Sequence, residues 1–147
     1  MANSQLSVNR VKELLAAAAR TRVLVLGDVM LDQFIWGHVS RISPEAPVPV
    51  VEFSSESYMP GGAANVARNL SALNVETELF SAIGEDDAGK QLKSSLSQQH
   101  VGCKGLVAVD SRPTSIKTRI VAHQQQVVRV DRESKQEIGA TDAQTIL

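Results

Sequence analysis

Arg22-Val23-Leu24-Val25-Leu26-Gly27-Asp28 is the stretch that decides the fold of this chain. A short run of β-branched and leucine side chains that stops at Gly-Asp is the pattern of a buried parallel strand. Downstream, Ala63 to Leu73 reads as a helix, Glu76 to Ile83 as a second strand, and Asp86 to His100 as another helix. In that last helix Ala88, Leu92 and Leu96 recur at spacings of four on one face. Asp86 or Asp87 is placed to cap its start. Upstream, Ser7 to Arg20 reads as an amphipathic surface helix feeding the first strand. Alternating strands and helices predict an α/β architecture with a mostly parallel sheet.

Two segments break the alternation. In Gln33 to Tyr58, Phe34 and Trp36 stand at period two, followed by Pro44, Pro47, Pro49 and Val50-Val51-Glu52-Phe53. In Thr114 to Arg132 the alternation runs Ile116, Thr118, Ile120, then Val128, Val130, with Gln124-Gln125-Gln126 marking a hairpin connection. Both predict antiparallel ribbon outside the main sheet. Four of the five aromatic residues (Phe34, Trp36, Phe53, Tyr58) fall in the first segment. Such clustering fits a second small sheet, a lid or a partner surface, and fits equally a ribbon packed onto the domain.

Composition narrows the function classes. The 147 residues are 43% hydrophobic and 21% charged, the balance of one soluble globular domain. Fifteen Lys and Arg against sixteen Asp and Glu leave a formal charge of −1, so no basic field draws in nucleic acid or anionic lipid. The single cysteine, Cys103, is expected as a reduced thiol and supports no internal disulfide or multi-cysteine zinc site. His38, His100 and His123 lack metal-ligand spacing, and no metal site is expected. Leu14 to Ala19 is too short an apolar run to span a bilayer, and the chain reads as cytoplasmic. At the other end, Thr141 and Gln144 form a capping-box pattern with only three residues after it, which is expected of a chain that continues further.

Three groups of residues carry candidate chemistry. Pro60-Gly61-Gly62-Ala63-Ala64-Asn65 opens a helix whose N–H groups can meet a polar ligand, with the Asn65 amide in its first turn. The same glycines also fit tight packing at a helix start. Asp28 and Asp32 follow the first strand, where open α/β sheets place their ligands. The pair suits sugar hydroxyls or Mg²⁺, although a phosphatase pattern needs its two aspartates two residues apart rather than four. The third group is Lys117-Thr118-Arg119, with Arg129 and Asp131 ten to fourteen residues on. Lys117 and Arg119 share one strand face and suit a phosphate, and fit equally a solvated ribbon face.

Together these pieces resemble the N-terminal part of the ribokinase-like (PfkB) carbohydrate kinases. Gly61-Gly62-Ala63-Ala64-Asn65-Val66-Ala67 followed by Gly84 carries the resemblance, with Asn74 where the family has Gly or Ser. Within the family, Gly27-Asp28-Val29-Met30-Leu31-Asp32 and Ser40-Arg41-Ile42-Ser43-Pro44-Glu45-Ala46-Pro47-Val48-Pro49-Val50 look like the heptose 7-phosphate kinases. Pro113-Thr114, Lys117-Thr118-Arg119 and Val128-Arg129-Val130-Asp131 are similar to that subfamily too.

The resemblance implies a ribokinase-like three-layer sandwich with a small antiparallel β lid formed from about 33–58 and 104–130. It implies ATP and Mg²⁺ as cofactors and a sugar phosphate as substrate. Asp32 would accept from sugar hydroxyls, and Gly61, Gly62 and Asn65 would hold the sugar. Asp28 stands beside them, and Lys117 and Arg119 would take the phosphate. A homodimer through the lid is also implied. The family's catalytic Asp sits in a Gly-Ala-Gly-Asp type motif of its C-terminal half, and no Gly-x-Gly-Asp occurs in these 147 residues. The expectation is therefore the acceptor half of a kinase site, inactive alone. The alternatives are a non-catalytic sugar-phosphate or dimerisation module, or a kinase for another sugar.

Overall fold

The structure, a computed structural model, describes residues 6–110 and 112–146. Strand β1 (Arg22–Leu26) forms where the sequence places it, but it lies at the edge of its sheet and is not the buried strand expected, with Leu24 and Leu26 exposed. Two residues, Gly27 and Asp28, turn the chain into β2 (Val29–Ile42). Then come β3 (Pro49–Gly62), α2 (Ala63–Ala72), β4 (Glu76–Gly84), α3 (Asp87–Gln98), β5 (Gly102–Val109), β6 (Ile116–Ala122), β7 (Gln125–Arg132) and α4 (Ala140–Ile146). Helix α1 (Val8–Ala18) precedes them, its first turn capped by Ser7 Oγ accepting from the Arg10 N–H at 3.2 Å. It buries none of its residues, as a surface helix should.

Two sheets result. β1, β4 and β5 form the parallel core sheet in the order β1-β4-β5, and the lid sheet runs β3-β2-β6-β7. The core lies where α2 and α3 meet the core sheet and the base of β2. Ala64 and Ala67 of α2, Leu92 and Leu96 of α3, Leu79 of β4 and Leu31 of β2 are all sealed there. Each leucine so buried contributes about 1.5–3 kcal/mol relative to exposure. Asn74 ends α2 in the left-handed region (φ 62), the role its tolerance for that conformation predicts, and His100 (φ 58) does the same after α3.

The lid departs from expectation in three respects. Residues 104–109 belong to β5 of the core sheet, not to the lid: Gly105, Leu106 and Val109 are buried against β4, and the Phe80 ring leaves no space for a side chain at Gly105. The lid sheet is also mixed. Its two hairpins are antiparallel, but they are joined by parallel pairing of β2 with β6. Finally, Asp32 sits inside β2, opposite Met59 and Lys117, and not in a loop at the end of β1. The hairpin connection expected at Gln124-Gln125-Gln126 falls one residue earlier: His123 and Gln124, both at positive φ, turn β6 into β7, and Gln125 and Gln126 already belong to β7.

The lid's aromatic side chains do not fasten it to the core. Phe34 and Trp36 stack on each other, their centroids 5.9 Å apart, and Trp36, Phe53 and Tyr58 are exposed. At the C-terminal end, α4 begins at Ala140, and its first turn closes with the Ala143 N–H on the Gly139 carbonyl (2.9 Å). Thr141 is inside the helix, so the expected capping box does not form. Ile146 is buried, and α4 packs against β4 and β5. Leu147, where the sequence reading placed the cut end, lies outside the described residues.

Candidate functional site

Core and lid meet at a joint built from Asp28, Gly61 and Gly62. Val29 pairs with Gly62 and Met30 with Gly61, so β2 and β3 leave the core side by side. The Asp28 carbonyl accepts from the Ala63 N–H (2.9 Å), which fixes the start of α2 against the end of β1. Gly62 takes φ 60 and ψ −134, a conformation open only to glycine, and a Cβ there would lie 2.5 Å from the Asp28 carbonyl oxygen. At Gly61 a Cβ would collide with Asp32 Oδ2. The double glycine thus brings the backbone against both aspartates.

Asp32 is held from the other side by Arg119. Its Oδ1 accepts from Arg119 Nη1 at 2.5 Å, and both side chains are largely buried. The guanidinium lies 5.3 Å from the centroid of Phe34, stacked in turn on Trp36. This cation–π contact adds to the ion pair, and Arg119 Nη1 also donates to the Lys117 carbonyl (3.3 Å). Lys117, opposite Asp32 in the sheet, reaches Asp131 (3.0 Å) and Glu133 (3.1 Å). These two carboxylates raise the lysine's pKa above its ordinary value. Lys117 and then Arg129 hold Asp131 below the usual carboxylate range. An incoming phosphate must therefore compete with Asp131 and Glu133 for Lys117.

A cleft of about 450 Å³ opens beside the joint. Asp28, Met30, Arg112, Ser115, Lys117 and the 133–138 segment line it. The structure thus brings Asp28 and Lys117 to one cleft, and gathers Asp32, Gly61 and Arg119 next to each other. Asn65 stands apart: exposed on the first turn of α2, its Oδ1 accepts from Asn69 Nδ2 (3.4 Å), and it does not line the cleft. Among the described residues no group of three or more His, Cys, Asp or Glu side chains is arranged to hold a metal ion. The acidic pair considered for Mg²⁺ is broken up, since Asp32 is committed to Arg119.

Sequence reasoning grouped Arg129 and Asp131 with Lys117 and Arg119 without pairing them, and it missed Glu133 as a partner of Lys117. The signal was present, because a hairpin turning at 123–124 sets Lys117 opposite Asp131. It also read Asp86 only as a helix cap. The carboxylate does cap α3, accepting from the Gly89 N–H, but it accepts from the Thr114 N–H as well.

A parallel α/β core sheet carrying a separate β lid, joined at a double glycine beside aspartates, defines a ribokinase-type fold. Solved structures agree. A putative ribokinase from Agrobacterium tumefaciens superposes with a TM-score of 0.63 at 17% identity, covering 85% of this chain and 42% of that one. Ribokinase from Arabidopsis thaliana, complexed with ribose and ATP, gives 0.59 at 17% identity over 78% of this chain and 35% of that one. At the level of sequence, residues 20–145 match the family model of the pfkB family carbohydrate kinases, and the chain belongs to that family. Its relatives include the bifunctional protein HldE of Hyphomonas neptunium, 54% identical over 126 residues, 86% of this chain and 26% of that protein. HldE of Citrifermentans bemidjiense is 47% identical over 130 residues, 88% of this chain and 27% of that protein. The chain spans about a quarter of the length of these curated relatives.

Proposed function

We propose that this chain is the acceptor-binding part of an ATP-dependent sugar phosphate kinase. The acceptor in this reading is D-glycero-D-manno-heptose 7-phosphate, converted to the 1,7-bisphosphate on the route to ADP-heptose and the lipopolysaccharide core. The observation that carries the reading is the 42–54% identity to bifunctional HldE proteins across the joint and the lid. Asp32 and Asp28 accept from sugar hydroxyls, Gly61 and Gly62 let the sugar approach the backbone, and Asn65 is available once a ligand bridges α2 to the joint. Lys117 and Arg119 offer the positive charge that a phosphate needs, the first released from Asp131 and Glu133.

ATP and Mg²⁺ serve as the phosphoryl donor pair, in the cytoplasm. Phosphoryl transfer depends on aligning the acceptor oxygen with the γ-phosphate. What this chain's residues do is hold the acceptor, orient its hydroxyl and shield it beneath the lid. The direct test is to read the coding DNA past Leu147, express the complete reading frame, and assay it with ATP, Mg²⁺ and heptose 7-phosphate. Formation of the bisphosphate supports the reading, and its absence with a folded protein defeats it. In the same protein, Lys117→Ala is expected to raise the KM for the sugar phosphate about 30-fold, the loss of one charge-assisted hydrogen bond, without changing the KM for ATP. Equal losses for both substrates would remove Lys117 from the phosphate site.

The lid also serves as a homodimer surface in this reading. Ile42, Phe53 and Val130 are 61%, 66% and 53% exposed on it, more apolar surface than a lone lid sheet tolerates well. Phe53→Glu is expected to convert a dimer to a monomer in sedimentation velocity. An unchanged sedimentation coefficient would place the interface elsewhere.

A further inference from the structure

Asp86 ties together three points of the fold. Its Oδ1 accepts from the Gly89 N–H (2.9 Å) in the first turn of α3, and its Oδ2 accepts from the Thr114 N–H (2.9 Å). Thr114 is 1% exposed, and its Oγ1 accepts from the Gly84 N–H (2.8 Å) at the end of β4. The packing leaves no slack. A Cβ on Gly84 would lie 2.6 Å from the Thr114 nitrogen and 2.7 Å from the Arg112 carbonyl, and one on Gly89 would lie 2.5 Å from the Gly84 carbonyl. Burial pushes the Asp86 carboxyl up, but the Thr114 hydroxyl and the Gly89 and Thr114 N–H groups outweigh it and hold the pKa below the ordinary aspartate value.

Thr114 lies two residues before β6, on the segment that carries the chain from core sheet to lid. Its neighbour Ser115 accepts from the Leu31 N–H (2.8 Å) and lines the cleft. The glycine joint at β2 and β3 and this clamp at the start of β6 thus both attach the lid, besides the return of the chain from β7 to α4. Lys117 and Arg119 stand just beyond the clamp. A shift of β6 by one residue would turn both to the opposite face.

We propose that Asp86 is a positioning residue for the ligand cleft: by holding Thr114, it fixes where β6 presents Lys117 and Arg119. The ligand in this inference rests on the sugar-phosphate reading, whereas the clamp itself rests on the geometry alone.

The test uses the protein of the complete reading frame. Asp86→Ser keeps a side-chain oxygen to cap α3 and loses the second oxygen that holds Thr114. It is expected to raise the KM for heptose 7-phosphate about tenfold, with the KM for ATP unchanged. Thr114→Ser, which keeps the hydroxyl, should stay within about twofold of wild type. Amide hydrogen exchange gives a readout independent of activity: residues 114–121 should exchange about tenfold faster in Asp86→Ser, while α3 keeps its protection. Unchanged exchange over 114–121 overturns the clamp. Faster exchange with an unchanged sugar-phosphate KM overturns its positioning role, as does a loss of protection shared equally with α3. If wild type phosphorylates no sugar phosphate, the functional reading fails and the exchange data alone decide the clamp. Should Asp86→Ser not fold, Asp86→Asn carries the same comparison, since asparagine caps as well and lacks the second acceptor.

Discussion

Asp32→Ala should lower kcat/KM for the sugar phosphate by about 10²–10³-fold, the loss of two charge-assisted hydrogen bonds to hydroxyls. The expectation follows from where the carboxylate is held. Arg119 takes Oδ1 from one side, the Gly61 backbone closes on Oδ2 from the other, and the β2 register fixes the Cα. A group so constrained spends little entropy on binding, so its removal is felt in full. Arg119 then loses its partner while still resting on Phe34. Its side chain is 22% exposed, so solvent screens part of the orphaned charge. The stability cost is therefore about 1 kcal/mol, not the several expected of a fully buried pair. Steady-state kinetics paired with thermal melting separate the two effects. A variant that melts as expected yet turns over normally would remove Asp32 from the acceptor site.

Asp32→Asn sharpens the comparison. Its amide still reaches a hydroxyl but no longer offers charge to Arg119, so an intermediate loss is expected. If Asn and Ala behave alike, the charge matters and the geometry of the acceptor oxygen does not.

The core was legible because its signals are local. Val23-Leu24-Val25-Leu26 as a strand, the leucines of α3 at spacings of four, and Asn74 as a helix stop all report on a few residues at a time. Each element stands where its pattern places it, although the edge position of β1 leaves Leu24 and Leu26 exposed. The lid's hairpins were visible for the same reason, through period-two alternation and the glutamine run that marks the second turn to within a residue. What alternation does not encode is the direction in which two hairpins join. The parallel pairing of β2 with β6 is set by the route of the chain through the core sheet, which no short window contains. Lys104 to Val109 was assigned to the lid by the resemblance and not by an alternation of its own; its parallel pairing with β4, under the Phe80 ring at Gly105, puts it in the core sheet.

For the site, the residue types were legible and the partnerships were not. Asp32 and Arg119 are 87 positions apart in sequence, so nothing local announces their ion pair. Read from sequence, both Lys117 and Arg119 are free cations awaiting a phosphate. In the structure each is already neutralised by a carboxylate. Ligand binding thereby becomes an exchange of partners, which favours an anion able to match a carboxylate in charge and geometry. Asn65 shows the converse. Its position in a glycine-led helix start is plain in the sequence, yet it faces solvent beside Asn69.

The two glycines of the joint should respond to the same substitution in opposite ways. At Gly62 an alanine must hold φ near 60 with ψ near −134, and its Cβ meets the Asp28 carbonyl oxygen, an atom of the backbone. That carbonyl cannot retreat without releasing the Ala63 N–H and the start of α2. Backbone strain of about 1–3 kcal/mol adds to the clash, so Gly62→Ala should cost about 3–4 kcal/mol, a large part of ordinary domain stability. A fall of about 10 °C in Tm is expected. At Gly61 the backbone is ordinary strand, and a Cβ meets only side chains, Asp32 and the Met30 Cγ at 2.9 Å. Methionine adapts readily, so Gly61→Ala should melt within a few degrees of wild type. The Asp32 carboxylate, however, is displaced from the position where Arg119 holds it, and the KM for the sugar phosphate should rise about 30-fold. A Gly61→Ala protein that binds normally would mean that the placement of Asp32 is not what the ligand reads. A Gly62→Ala protein that melts normally would mean that the joint can yield, and the lid would then have to draw its fixed geometry from its other attachments, the Thr114 clamp among them.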